Sequence, residues 1–398
     1  MKKGWQIKKL GEVCDFEGGS QPPKSEFIFE EKLGYVRFLQ IRDFGSDKNI
    51  TYIPHSKKNR LCTEQDILIG RYGASVGKIL TNKAGAYNVA LMKTIPNLKV
   101  LNRSWFYNFL RSDEFLYPLL NVADRSAQAG FSKDDIYNFS VPVPPMGEQE
   151  RIVGILDEAF EGIARAKANA EKNLQNARAI FDSHLHSVFT QGMQDWIKNP
   201  LGEITTKIGS GATPRGGEES YKTDGISLIR SLNVRDLSFK YAKLAFLDEA
   251  QANDLSNVEV SPRDVLLNIT GASVARCCIV PEDVLPARVN QHVSIIRPIA
   301  EELDPDFLHY ALISKPYKDK LLQTGEEGGS TRQAITKAQI QNFAVHYPAT
   351  LKEQKTIVKM FDGLLTETQR LAGIYERKLE LLEELKQALL HRAFSGEL

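Results

Sequence analysis

The sequence lacks the motifs on which many enzymes depend. It contains no Gly-x-x-x-x-Gly-Lys-Ser/Thr phosphate-binding loop, no His-Glu-x-x-His and no Asn-Pro-Pro-Tyr of the amino-methyltransferases. His184 and His186 lie two residues apart in a helical pattern, so their side chains diverge and cannot form the i, i+4 pair of a metal site. These absences predict a chain without a catalytic site.

Cysteine is scarce as well. The four in 398 residues form no Cys-x-x-Cys pair, and no histidine lies at zinc-finger spacing from them. We therefore predict buried, reduced thiols at Cys14, Cys62, Cys277 and Cys278.

Long apolar runs are also missing. No uninterrupted apolar run of about 18 residues exists, and the first ten residues, MKKGWQIKKL, do not resemble a signal peptide. A cytoplasmic location is expected. The 42% hydrophobic and 25% charged residues are typical of a globular protein, and the length suggests two or three domains.

Charge is distributed unevenly along the chain. Residues 1–145 contain 21 Lys and Arg against 15 Asp and Glu, a net charge of +6, whereas residues 193–350 contain 17 against 20, a net charge of −3. The stretches 146–192 and 351–398 are near neutral, at −2 and 0. If both halves bind nucleic acid, the second must use a local basic patch or a partner.

The strongest feature is an internal repeat with a period near 200 residues. Six short matches occur in the same order, and their offset grows from 191 to 205, which indicates one fold present twice with insertions in the second copy. The matches are Leu10-Gly11-Glu12 with Leu201-Gly202-Glu203, Ile41-Arg42-Asp43 with Val234-Arg235-Asp236, Asp66–Ile69 with Asp264–Leu267, Gly73–Val76 with Gly271–Val274, Ser132-Lys133 and Asn138-Phe139 with Thr336-Lys337 and Asn342-Phe343, and Glu148-Gln149 and Ile152-Val153 with Glu353-Gln354 and Ile357-Val358.

Each copy begins with a globular pattern. Short β-branched and aromatic runs bounded by Gly, Asn or Asp, such as residues 35–39 and 293–296, predict strands. Apolar residues at helical spacing predict a short helix within residues 102–120 and another within 304–322. The predicted fold class is α+β, with two similar globular domains at residues 1–145 and 193–350.

Each copy ends with a long helical pattern, at residues 146–192 and 351–398. In the first, apolar or small residues occupy eleven positions that span 36 residues, a mean step of 3.6. We predict two long antiparallel helices, a coiled-coil-like spacer with a pseudo-two-fold relation, that hold the domains about 60 Å apart. The alternative is that the helices complete the core of one large domain.

This order resembles the specificity subunit of type I restriction-modification systems over the whole chain. The motif that begins each globular domain in this family resembles two segments of this chain, Trp5 with Lys9–Glu12 and Trp196 with Pro200–Glu203. Its Gly-Thr-Pro loop resembles Gly209–Pro214, where the first copy has Gly18–Pro22 without the threonine. Its Asn-Gln-His phrase resembles Asn290-Gln291-His292, where the first copy has Asn88-Val89-Ala90; the phrase could serve only to shape a turn. Residues 144–153 resemble the start of its helix.

The resemblance implies a non-catalytic subunit that recognises a DNA sequence. In the family, each globular domain reads one half of a bipartite target in double-stranded DNA, and the helices set the gap between the halves. The resemblance also implies two modification subunits, which carry out methyl transfer from S-adenosylmethionine, and two restriction subunits, which use ATP. This chain itself would bind neither cofactor.

Polar and basic loop residues are the candidates for DNA contact, because Arg, Lys, Asn, Gln, Ser and Thr read base edges in the major groove. For any one of them, a solvated side chain or a turn residue is the alternative. Arg42-Asp43 and Arg235-Asp236 could equally be structural ion pairs. The candidates are Gln21, Lys24, Arg42, Arg71, Tyr72, Lys78, Arg125 and Gln128 in the first copy, and Thr213, Arg215, Asn233, Arg235, Asn268, Thr270, Arg276, Ser330, Thr331, Arg332 and Gln333 in the second.

Two alternatives belong to other functional classes. A regulatory or protein-interaction scaffold of the same shape would bind protein rather than DNA. A self-contained nuclease would need a metal site, for which Glu282 and Asp283 are a faint hint without a counterpart in the first copy.

Overall fold

The computed structural model describes residues 4–124, 130–326 and 334–398. The chain forms two compact units. The first consists of Met1–Glu171 and Arg377–Leu398, and the second of Lys172–Glu376. Each unit therefore contains one globular domain and a part of both long helices.

The first globular domain contains two four-stranded sheets. The antiparallel sheet has the order β2-β9-β6-β7, and the mixed sheet has the order β4-β3-β8-β5, in which β3 and β8 are parallel. A separate pair, β1 with β10, precedes the long helix α5. The elements are β1 Gln6–Lys9, α1 Leu10–Val13, β2 Cys14–Gly18, β3 Tyr35–Leu39, β4 Tyr52–Pro54, β5 Leu61–Cys62, β6 Leu68–Gly70, β7 Ile79–Leu80, β8 Gly85–Tyr87, β9 Leu91–Pro96, α2 Arg103–Leu110, α3 Asp113–Asp124, α4 Lys133–Tyr137, β10 Ser140–Val143 and α5 Met146–Asp195.

The second globular domain repeats this arrangement. Its elements are β11 Ile197–Pro200, β12 Thr205–Ser210, β13 Ile226–Ile229, β14 Val234–Arg235, β15 Ser238–Phe239, β16 Ala245–Leu247, α6 Glu249–Asp254, β17 Glu259–Val260, β18 Val265–Asn268, β19 Cys277–Ile279, β20 Ala287–Val289, β21 Val293–Pro298, α7 Pro305–Ile313, α8 Lys315–Glu326, α9 Lys337–Asn342, β22 Ala344–Tyr347 and α10 Leu351–Ser395. The sheet orders β12-β21-β18-β19 and β16-β13-β20-β17 match those of the first domain strand by strand. The predicted α+β repeat is confirmed, and the second domain has the hairpin β14–β15 where the first domain has a 3-10 helix at Ile41–Phe44.

The region predicted as one short helix in each copy contains two. Asn102 caps α2 by accepting hydrogen bonds from the backbone amides of Ser104 and Trp105. A buried serine, Ser112 or Ser314, follows the first helix of each pair, and its hydroxyl donates to the carbonyl oxygen three residues earlier. The predicted helical periodicity is correct, but the prediction of a single helix is wrong. The serine hydrogen bond competes with continuation of the first helix, so each region forms two helices.

The long helices are continuous over 50 residues in α5 and 45 in α10. In the second unit, Arg178 forms an ion pair with Glu376 at 2.7 Å, while His184 Nε2 lies 3.5 Å from Met360 Sδ. The residue numbers of the contacts in α10 fall as those in α5 rise, so the two helices are antiparallel in this unit, as predicted. The separation of about 60 Å stays a prediction.

A buried glutamine ties the start of each long helix to its own domain. Gln149 Oε1 accepts from the Asn102 amide at 2.7 Å, and its Nε2 donates to the carbonyl oxygens of Val100 and Pro144. Gln354 makes the same three bonds, with the Asp304 amide and the Glu302 and Pro348 carbonyls. The repeated Glu-Gln pair therefore marks a structural joint.

The end of each long helix places a phenylalanine in a domain core. Phe394 of α10 lies 4.5 Å from Trp105 of α2 between ring centroids, and Phe189 of α5 lies 5.4 Å from Phe307 of α7. Phe394 thus packs in the first unit, although it follows the second domain in sequence. The helices complete two separate cores, so the single large core weighed above is wrong.

The four cysteines are buried and free of disulfides, as predicted. Burial raises the pKa of the Cys62 thiol to about 11 and that of Cys278 to about 12.

Candidate DNA interface

The loops at one end of the two sheets have the same backbone plan in both domains. In the second domain, the amide of Ile269 donates to the His292 carbonyl, and that of Asn290 to the Ile229 carbonyl. In the first domain, the corresponding bonds join Arg71 to Ala90 and Asn88 to Leu39. The duplicated scaffold therefore presents equivalent positions with different side chains.

A glycine makes this loop packing possible in each copy. A Cβ on Gly211 would lie 1.8 Å from the Val289 carbonyl oxygen, and a Cβ on Gly19 would lie 2.0 Å from that of Asn88. No other residue fits at these distances, so the Gly-containing loop rests against the turn that follows β8 or β20. The glycines thus bring Gln21 or Thr213 toward that turn.

Four side chains form a continuous hydrogen-bonded chain across three loops of the second domain. Thr213 Oγ1 donates to Gln291 Oε1 at 2.5 Å. Gln291 Nε2 lies 3.1 Å from His292 Nε2, and His292 Nδ1 lies 2.5 Å from Thr270 Oγ1. We refer to Thr213, Gln291, His292 and Thr270 as the polar relay. Gln291 is exposed, and the other three are half-buried.

The first domain presents a basic and aromatic surface at the same place. Arg71 Nε donates to the Phe131 carbonyl at 3.2 Å, and its guanidinium lies 5.0 Å from the centre of the Tyr72 ring. The Tyr72 side chain is 41% exposed. Val89 and Ala90 stand where the second domain has Gln291 and His292, so this domain has no polar relay.

Most of the other described candidates lie at the surface. Arg42 Nη2 contacts Thr51 Oγ1 at 3.4 Å, the upper limit of a hydrogen bond. Arg235 belongs to the hairpin β14–β15, and Arg276 precedes β19; both are half-buried. Gln21, Lys24, Lys78 and Arg215 are exposed.

Two candidates are buried instead. The Asn233 amide bonds to the backbone of Arg230 and Lys240, and Asn268 Nδ2 donates to the Ser231 carbonyl. Both side chains have no exposed surface. In this structure their amides hold turns in place, because an amide can satisfy turn backbone as well as it can read a base.

The alternative that Arg42–Asp43 and Arg235–Asp236 are structural ion pairs is wrong in both copies, because both aspartates have other partners. Asp43 is buried and accepts from the Gln40 amide at 2.6 Å. Asp236 accepts from Lys318 and from the Cys277 amide. The adjacent arginines point elsewhere because the aspartates serve as backbone acceptors, and this leaves both guanidinium groups available to a ligand.

Six candidates lie outside the described residues. They are Arg125, Gln128, Ser330, Thr331, Arg332 and Gln333. The described backbone next to them shares one feature in the two copies, since Tyr72 pairs with Gly130 and Thr270 with Ala334 as isolated bridges.

Gln291 and His292 were not among the predicted contacts. Their sequence signal was the Asn-Gln-His phrase, which the sequence alone could not distinguish from a simple turn. Asn290 does shape a turn, since its Oδ1 accepts from the His292 amide at 3.1 Å. The next two side chains extend the polar surface.

The structure places no further metal-ligating side chains with Glu282 and Asp283, the possible metal site of a nuclease, among the described residues. Asp283 Oδ1 accepts from the Tyr241 hydroxyl at 3.1 Å. In the described ranges, no group of three or more His, Cys, Asp or Glu side chains is placed to hold a metal ion. Over the same ranges, no helix has the length and apolarity needed to cross a membrane.

The duplicated α+β domains, the paired long helices and the polar loops define a class of two-domain recognition module. The chain matches the family model of the type I restriction modification DNA specificity domain at residues 2–173 and 193–377, and it belongs to this family. The resemblance seen in the sequence is therefore confirmed.

Individual relatives are distant in sequence but match over nearly the whole chain. The specificity subunit of the type I restriction enzyme MjaVIII from Methanocaldococcus jannaschii is 22% identical over 99% of this chain and 93% of its own length. The EcoBI specificity subunit from Escherichia coli is 22% identical over 99% of this chain and 86% of its own length.

Two solved structures share the fold. A chain from a study of complex assembly and conformational transition of the type I R-M system has a TM-score of 0.78 at 21% identity, and covers 100% of this chain and 99% of that one. The HsdS subunit from Thermoanaerobacter tengcongensis has a TM-score of 0.62 at 20% identity, with coverage of 100% and 98%.

Proposed function

We propose that this chain is the non-catalytic subunit that selects the DNA target, and that each domain reads one half of a bipartite site. The observation that carries the proposal is the pair of equivalent loop surfaces, built on one backbone plan but with different chemistry. Arg71 and Tyr72 occupy the surface of one domain, and Thr270 and Gln291 that of the other. A repeated scaffold with different loops suits two different half-sites.

The proposal assigns the spacing and the partner contacts to the long helices. Several of their apolar side chains remain exposed between 37% and 48%, including Ile155, Ile180, Leu381 and Leu385. Apolar side chains exposed on a charged helix suit a protein partner. Two modification subunits would dock on these helices, with two restriction subunits in the larger complex; S-adenosylmethionine and ATP would bind to those partners. Partner contacts would also compensate for the net charge of −3 in the second domain. The cytoplasmic location stays a prediction.

Binding of the full chain to duplex DNA, with its cognate modification subunits present, tests the proposal. We expect tight binding to a gapped, two-part sequence selected from random duplexes. Binding to unselected duplexes should fall steeply as salt is raised, because Lys and Arg release counterions from phosphates. Arg71→Ala should alter one half-site only, so the unchanged half-site of the same selected sequences is its internal control.

The protein-scaffold alternative makes the opposite prediction. A scaffold would bind the modification subunits without enriching any DNA sequence, and the complex would enrich the same pool with or without this chain. That result would contradict the proposed function.

A further inference from the structure

A cleft on the surface of the second domain is lined by basic and amide side chains. It has a volume of about 430 Å³ and lies between β11, β22, α9 and the second half of α8. Its polar lining includes Lys198, Lys320, His346, Gln323 and Asn342. Among the described residues, no aspartate or glutamate lines it. We refer to it as the basic cleft.

Three basic groups converge in this cleft. Lys198 in β11 lies directly opposite His346 in β22, so both side chains stand on the same face of the strand pair. Burial lowers the pKa of His346, and the charges of Lys198 and Lys320 lower it further. The two ammonium groups therefore act on one imidazole ring, and a bound anion would relieve their mutual repulsion.

The two ammonium groups have no negative partner within the protein. Neither Lys198 nor Lys320 forms an ion pair with a carboxylate that the structure describes, and both are exposed. The Lys320 Nζ lies 3.9 Å from Met193 Sδ and 5.7 Å from the centre of the Tyr317 ring, and neither group carries a negative charge. An uncompensated lysine ammonium suits a phosphate, which it binds as a point charge.

The first domain has no basic groups at the equivalent positions. In the pairing of β1 with β10, Ile7 lies opposite Pro142. Counted from the buried serine of each copy, the counterpart of Lys320 is Pro118 in α3. The first domain has a net charge of +6 and the second −3. The second domain therefore concentrates in one cleft a positive charge that it lacks as a whole.

The basic cleft is continuous with the candidate DNA interface. At its rim, Gln339 donates to the Thr324 carbonyl at 3.1 Å. The next residue, Gly325, accepts from the Ala334 amide at 3.4 Å, and Ala334 forms a bridge with Thr270 of the polar relay. An anion in the cleft would therefore lie beside the loops that carry the candidate base contacts.

We propose that the basic cleft binds a backbone phosphate of duplex DNA next to the second half-site, with Lys198 and Lys320 as its ligands. The proposal rests on the proposed function and deepens it. Phosphate contacts fix the position of a protein on the duplex but carry no sequence information directly. The cleft then holds the second domain on the DNA while its loops select the bases.

The test measures the affinity of the full chain, with its modification subunits, for the selected target and for an unselected duplex over a range of salt. The double variant Lys198→Gln/Lys320→Gln should bind both duplexes about 10-fold more weakly. The dependence of log affinity on log salt should become shallower by about 0.9, the value for one phosphate. The selected sequence should not change.

The matched control is Lys222→Gln/Lys315→Gln. It removes the same two charges from the same domain, but each of these lysines is already paired, with Asp248 at 3.2 Å and with Asp319 at 2.8 Å. Both affinities should change by less than about twofold. Melting temperatures equal to that of the parent would show that both double variants fold.

A second arm neutralises the DNA and needs no variant to locate the contact. Single phosphates of the target are replaced one at a time by uncharged methylphosphonates. One position beside the second half-site should weaken binding of the parent chain by about 10-fold and have little further effect on Lys198→Gln/Lys320→Gln, because both changes remove the same contact. Titration with inorganic phosphate alone shows whether the cleft binds a free anion.

Four outcomes would count against these ideas in different ways. Unchanged affinity and salt dependence in Lys198→Gln/Lys320→Gln would overturn the cleft proposal and leave the proposed function intact. So would binding of inorganic phosphate without any DNA phosphate that depends on the two lysines. So would weaker binding of the modification subunits in the absence of DNA, because an acidic protein segment would then occupy the cleft. If the parent complex enriches no sequence, the proposed function fails, and the cleft proposal fails with it.

Discussion

Buried polar side chains determine local stability in this protein. Gln354 has no exposed surface and satisfies one backbone amide and two carbonyls from two different segments. Gln354→Leu should lower the free energy of unfolding by about 2 to 4 kcal/mol, because it leaves buried backbone groups unpaired. Urea denaturation of the full chain measures this change.

Gln369→Leu is the control for that variant. Gln369 lies on the same helix but is exposed, so its replacement should change the free energy by less than about 0.5 kcal/mol. Equal effects at the two positions would show that the Gln354 bonds do not stabilise the joint.

His309 gives the second unit a dependence on pH. Its ring is buried, Nε2 lies 3.2 Å from the Cys277 carbonyl, and burial lowers its pKa to about 4. The unfolded chain binds a proton near pH 6.5 and the folded chain near 4, so stability falls as pH decreases through that window. Between pH 7 and pH 5, this group should cost about 2 kcal/mol of unfolding free energy.

Urea denaturation at the two pH values checks the sign and the size of this effect. His309→Gln removes the titrating ring, so its stability should change less over the same range than that of the parent. A parent and variant with the same pH dependence would show that His309 does not cause the loss.

At the scale of elements, the ends of the long helices are the critical joints. Phe394 contacts both Trp105 and Phe109, and Phe189 contacts both Phe307 and Trp196. Phe394→Ala should destabilise the first unit by about 3 to 5 kcal/mol, because a buried aromatic ring leaves a cavity. Hydrogen exchange of the α2 amides should become faster.

The duplication provides an internal control. Phe189→Ala should have the equivalent effect in the second unit, with faster hydrogen exchange in α7 and unchanged hydrogen exchange in α2. Leu381→Ala on an exposed part of α10 should affect neither. Faster exchange in both α2 and α7 from one substitution would contradict two separately packed units.

At the scale of the whole molecule, the proposed function makes helix length a determinant of the DNA gap. Seven residues that continue the apolar stripe, inserted after Glu171 and after Glu376, add about 10 Å and about two helical turns to each helix. The selected target should then gain about three base pairs in its gap, at roughly 3.4 Å per base pair. Selection from random duplexes measures the gap directly.

The single insertions serve as controls for the double one. An insertion in one helix alone puts the two apolar stripes out of register, so it should reduce binding without giving a new, defined gap. An unchanged gap in the double insertion would contradict the spacer role.

Local patterns along the chain were enough to predict the repeat, the α+β class and both long helices. Periodicity and short repeated phrases depend only on neighbours in sequence, so they can be read without a structure. The break of each short helix at Ser112 or Ser314 was missed because one hydroxyl bond outweighs the periodic pattern.

Packing decided the features that depend on residues distant in sequence. Which arginines stay available depended on Asp43 and Asp236 turning to the backbone, and the burial of Asn233 and Asn268 depended on the loops around them. The polar relay joins residues 213, 270 and 291–292, and Phe394 reaches a domain core nearly 300 residues earlier in the chain. No local pattern contains such contacts, because they exist only when folding closes the loops between them.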